Sequence, residues 1–212
     1  MENQKDKDRY GKTGAAGKNG PNNEVGSEVR VPVDDEILLT GKCLLELLRD
    51  NLCPGYVRDR DSILLTAPWE EEDYRVGVYL YDIQDYSLCV AATADMGGNM
   101  LRFPPKVVEL SYMLFCNEKH RFGGLQRERL QGILNEMIRT LHDNPTLIRE
   151  DGEKVGISFL CESVEFKIRL WGSFNQPLQP AVYLRAAPVP IASARTRKVN
   201  RVKEREYGFE RM

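Results

Sequence analysis

The run VVELSYMLF at residues 107–115 constrains this chain most. Successive side chains of a strand point to opposite faces, and apolar residues dominate both sets here. A strand of this kind cannot leave one side in water, so the run predicts a central position in a sheet. The other segments are read for what surrounds it.

Ile37, Leu38, Leu44, Leu45, Leu48 and Leu52 give a wide apolar helical face over residues 34–51, with Asp34 or Asp35 as N-cap and Cys53-Pro54-Gly55 as the stop. Residues 62–68 (SILLTAP) predict a short strand. Residues 74–81 predict another, with Val76, Val78 and Leu80 alternating with Gly77, Tyr79 and Tyr81. Residues 96–105, rich in Gly and Pro, read as irregular. After Gly123-Gly124 the three- and four-residue spacing of Leu130, Ile133, Leu134, Met137, Ile138 and Leu141 predicts a helix to His142, ended by Asn144-Pro145. A strand at 157–160 and a short helix within 162–174 follow. Residues 181–191 read as the last strand. Pro188 and Pro190 sit two apart and remove two amides from one edge of it, which predicts a sheet border. The fold class is α+β, a mostly antiparallel or mixed sheet with helices packed on it.

Composition changes at both ends of the 212 residues. Residues 1–30 carry almost no apolar side chains and read as a flexible polar arm. Residues 31–193 form the α+β domain. Residues 194–212 form a basic tail, with seven Lys or Arg against three Glu. A formal charge of -2 gives no field strong enough to gather nucleic acid or an anionic membrane, and neither partner is expected. No run approaches the ~18 apolar residues of a membrane span, and residues 1–30 lack the apolar core of a secretory signal, so a cytoplasmic chain is expected. Cys43, Cys53, Cys89, Cys116 and Cys161 lack the paired spacing of a zinc site and read as reduced, mostly buried thiols.

The candidate chemistries are weak. Gly11-Lys12-Thr13 and Gly17-Lys18-Asn19 lack the spacing and the preceding strand of a phosphate loop. Cys116 lies four residues before His120, but at the end of a strand that spacing does not align thiol and base. His142 suits the last turn of its helix, where partial positive charge is favoured without catalysis. Asp59, Asp61, Glu70, Glu71, Glu72 and Asp73 fit a solvated acidic turn better than an octahedral cation site. Tyr207 and Phe209 in the basic tail offer aromatic faces, but glutamates interrupt the charge. No catalytic residue, metal ligand or cofactor is expected. A small hydrolase using Cys116 or the acidic turn is the alternative from a different class.

Several segments taken in order resemble a known family: Pro68-Trp69 with VYLYD at 78–82, Phe103-Pro104-Pro105 before VELSYML at 108–114, TLHDNP at 140–145, and LWGSF at 170–174 before Val182-Tyr183-Leu184 and Pro188-Val189. Over residues 34–191 the chain is similar to the N-terminal domain of cap, or tail-terminator, proteins of phage-tail-like contractile injection systems such as antifeeding prophages and virulence-cassette particles. The resemblance implies a noncatalytic structural protein. It would form a homo-hexameric ring at the end distal to the baseplate, stop growth of the inner tube protein and fasten the last ring of the tail sheath protein. It further implies assembly in the cytoplasm and a place in a particle that is extracellular after release. A neck, connector or terminator component of a contractile phage tail is the alternative within the same class. The long N-terminal arm departs from the family pattern. A closed ring needs two different complementary surfaces per subunit. Arg102, Phe103 and Trp171 are the expected anchors at this interface, joined by Arg195, Arg197 and Tyr207 of the tail.

Overall fold

The computed structural model describes residues 29–30, 35–86, 94–95, 100–117 and 126–198. Helix α1, Glu36–Leu52, starts where the Asp35 carboxylate accepts the Leu38 amide at 3.4 Å. Thr40, Leu44, Leu48 and Leu52 recur every four residues and are completely buried. A single turn of 3-10 helix, Arg60–Ser62, leads into β2, Ile63–Leu65, and then β3, Val76–Asp85. The short strand β1, Val29–Arg30, precedes α1.

Strand β6, Lys106–Cys116, is the axis of the molecule. It pairs antiparallel with β3 on one side and with β9, Ala181–Ile191, on the other. The strands β7, Thr146–Ile148, and β8, Lys154–Phe159, complete a six-stranded sheet in the order β2-β3-β6-β9-β8-β7. Only the β2–β3 pair is parallel, so the sheet is mixed as expected.

Both faces of β6 are covered, which its two-sided apolar pattern requires. Leu110, Tyr112, Leu114 and Cys116 join Leu44 and Leu48 of α1 and Ile133, Met137 and Leu141 of α2, Gln126–Asp143, in one cluster. Met113 and Phe115 point to the opposite face. There they meet Tyr74, Tyr183 and Trp171 of α3, Val164–Ser173. The molecule therefore has three layers: α1 and α2, the sheet, then α3. Ser163 caps α3 by accepting the Phe166 amide at 3.1 Å, which offsets the weak helix propensity of its first residues.

The structure differs from the sequence reading at five places. Strand β9 is internal and is neither a border nor the last strand. Its prolines are tolerated because β8 pairs only with Leu184–Ala187, so both lie beyond that partner; on the β6 side Pro188 falls at the register shift between Val108 and Leu110, while Pro190 pairs with Val107. Residues 96–105 are not irregular throughout, since Met100–Arg102 forms β5. Residues 195–198, read as the start of a tail, form β10, Arg195–Lys198. With β1 and β4, Ala94–Asp95, these two strands build a second, antiparallel sheet in the order β1-β10-β5-β4. Strand β7 follows Asn144-Pro145 directly and is too short to leave a periodic signal. Strand β8 begins at Lys154, three residues before the expected start, with Val155 completely buried.

Gly77 lies under the Phe115 ring, where an added Cβ would stand 2.4 Å from Cζ. Overpacking of this kind costs about 1–3 kcal/mol. Gly77→Ala is expected to lower the unfolding free energy by about that amount, read from the urea midpoint at unchanged slope.

Candidate assembly surface

Four of the expected interface residues come together on the small sheet. Arg102 of β5 faces Thr196 of β10, and the Phe103 amide donates to the Arg195 carbonyl at 3.1 Å. The Arg195 guanidinium lies 4.6 Å from the centre of the Phe103 ring, a cation–π contact worth about 0.5–1 kcal/mol at an exposed site. Arg195 and Arg197 share one exposed face of β10, while Thr196 between them is completely buried. Tyr207 lies outside the described residues, as do Cys89 and His120.

Trp171 is not at the surface. It is 1% exposed, its indole Nε1 donates to the Tyr183 hydroxyl at 3.0 Å, and its ring meets Phe115 edge-on at 5.8 Å. The helical spacing of 162–174 correctly places an apolar residue there, but α3 turns that residue inward onto the sheet. Trp171 therefore belongs to the core and is corrected as an interface anchor. The surface aromatic of this region is Trp69, 45% exposed, packed at 5.3 Å on Tyr79 and 5.0 Å on Phe174. Beside it a groove of about 450 Å³ runs between α1 and the β2 edge, lined by Leu38, Leu65, Leu80 and Tyr112.

A pocket of about 280 Å³ joins the two sheets, lined by Glu36, Arg102, Phe103, Arg149, Pro190 and Ala192 among others. The Arg149 side chain is 1% exposed and grips the Asp151 carboxylate through Nε, at 3.2 Å, and Nη2. Those hydrogen bonds hold Asp151 below the usual carboxylate range. The Glu36 Oε1 accepts the Ala192 amide at 2.9 Å across 156 residues of sequence. Sequence reasoning missed Glu36, Arg149 and Asp151. Their partners are brought together only by the fold, and no local spacing marks them.

The candidate chemistries take structural places. Cys116 is buried, Cys43 and Cys53 are half-buried with thiols pushed up by burial, and Cys161 is exposed. Only one of these four thiols is buried, fewer than expected, because Cys161 falls in the link between β8 and α3. In the acidic turn the Glu70 carboxylate accepts from the Thr66 hydroxyl at 2.5 Å, and Asp59 accepts the Asp61 amide at 3.1 Å. Among the described residues no three His, Cys, Asp or Glu side chains are arranged to hold a metal ion.

This three-layer α+β architecture resembles that of solved tube-terminator structures. Residues 40–205 match the family described as the Pvc16 N-terminal domain, and the chain belongs to that family. Two solved structures share its fold at 15% sequence identity. One is the sheath/tube terminator of the extracellular contractile injection system PVC in its extended state, with a TM-score of 0.64 over 86% of this chain and 65% of that one. The other is the tube-terminating cap of the anti-feeding prophage, with a TM-score of 0.58 over 80% of this chain and 60% of that one. The chain thus spans less than two thirds of the length of either neighbour. No curated protein matches it significantly in sequence.

Two predictions follow from the core. Trp171→Ala is expected to cost about 3–5 kcal/mol of subunit stability, seen by denaturant unfolding of the isolated chain. An unchanged midpoint would return Trp171 to the surface. Burial also raises the Tyr74 hydroxyl to about 12 and pushes Tyr81, Tyr112 and Tyr183 upward. The fold favours the protonated phenols, so their stabilising effect is full below the unfolded value of about 10 and is lost as pH rises through the raised values. Titration at 295 nm is expected to show tyrosine ionisation lagging in the native chain relative to the chain in denaturant.

Proposed function

We propose that this chain is a structural, noncatalytic cap of a contractile injection system. Six copies close into a ring on the tube end distal to the baseplate, stop tube growth and hold the last sheath ring. The observation that carries this reading is the terminator fold, shared with two tube-end proteins over four fifths or more of the chain. The surface supports it: a ring needs two different complementary faces, and the chain offers the arginine-rich small sheet and, elsewhere, the Trp69 groove. Arg102, Phe103, Arg195 and Arg197 act at the assembly interface, with Tyr207 beyond them in the tail. The segments before Val29 and after Lys198 serve as arms toward neighbouring subunits. Assembly takes place in the cytoplasm, and the cap leaves the cell as part of the particle.

Deletion of the coding sequence tests the reading directly. Negative-stain electron microscopy of particles is expected to show overlong, ragged or sheathless tubes, with normal ends restored by the full chain. Normally ended particles without the chain would reject it.

A further inference from the structure

Among the described residues, two cationic donors in the pocket between the sheets have no partner. Arg149 Nη1 and Arg102 Nε are both buried without a hydrogen-bond acceptor, and both residues line the same cavity. A buried, unsatisfied donor on a charged group is costly, so such atoms point to an acceptor from elsewhere. Three carboxylates also line the pocket, those of Glu36, Asp151 and Glu153, and none of them accepts from these two atoms. The Asp151 carboxylate takes Arg149 and the Glu153 amide, and Glu36 Oε1 takes the Ala192 amide. Glu153 is exposed. Phe103, Pro105, Pro190 and Ala192 supply apolar walls, which suits a carboxylate on a short apolar stem.

The same chain carries a matching group. Glu71 and Glu72 are exposed at the loop between β2 and β3, and neither carboxylate has a hydrogen-bond partner among the described residues. This loop cannot serve its own pocket. Its ends are fixed beside one half of β6, since Thr66 donates to Val78, which pairs with Leu114, and Asn117 donates to Arg75. The pocket lies at the other end, where Pro190 pairs with Val107. Seven residues of strand separate Leu114 from Val107, about 23 Å along the sheet. That is far beyond the reach of a glutamate side chain, so loop and pocket can meet only between copies. A closed ring requires this relation: one patch on a subunit complementary to a different patch on the next.

We propose that the Glu71–Glu72 loop of one copy docks in the Arg102–Arg149 pocket of its neighbour and forms the head-to-tail contact of the ring. The proposal rests on the cap reading and names the partner of its arginine surface. Arg102, half-buried, meets the incoming carboxylate first; Arg149, held by Asp151, presents its remaining donor behind it.

A charge swap in the full chain tests this contact. Particles are produced with Arg102→Glu, with Glu71→Arg plus Glu72→Arg, and with all three changes, and the fraction of capped tube ends is counted. Circular dichroism checks each purified variant, and Arg102→Gln replaces Arg102→Glu if the reversed charge unfolds the chain. Each half of the swap is expected to reduce capping at least about tenfold, and the combination to recover most of it. Normal capping by folded half-swaps, or a combination no better than the worse half, would overturn the contact while leaving the cap reading intact. Normal tube ends in the deletion strain would overturn the cap reading itself, and the contact with it.

Discussion

The structure depends on β6 being buried on both faces. Its side chains alternate between two apolar clusters, so neither face can be left to water without exposing residues such as Leu114 or Phe115. That single demand sets the layer order. Two helices cover one face, α3 covers the other, and β3 and β9 satisfy the backbone on either side. Gly77 is part of the same solution, because an added Cβ there would clash with the Phe115 ring that packs edge-on against Trp171.

The small sheet adds an arginine-bearing surface to this core. Val29–Arg30 pairs with Arg195–Lys198, and that strand pairs in turn with β5. The arginines there are ordered by local contacts and by the fold as a whole. Arg195 rests on Phe103, and Arg149 is fixed by Asp151 before any partner arrives. Side chains already held in place lose less freedom on binding.

Much of the fold was legible in the sequence. The two-sided apolar pattern of residues 107–115 marks a central strand, and α1 shows through its period and its Asp35 cap, whereas the Ser163 cap of α3 went unread. What was not legible depended on pairing between distant segments. The prolines of β9 look like an edge signal until the short reach of β8 and the shifted β6 register are known. Of the site, Arg102, Phe103, Arg195 and Arg197 were visible as unusual residues in a loop and a tail. The contact between them was not, because it exists only once β5 and β10 pair. Trp171 shows the converse: a large aromatic reads equally well as anchor or core until the orientation of its helix decides. Glu36 and Arg149 carried no signal at all, since single charged residues are common on helix starts and turns.

The central claim is that this domain closes a ring on the end of a tube. A cryo-electron microscopy reconstruction of the particle's distal end tests it most directly. The account predicts six copies of this three-layer fold in a closed ring, set between the last tube ring and the last sheath ring. Finding the fold elsewhere on the particle, or a distal end closed by density that this fold does not fit, would contradict it.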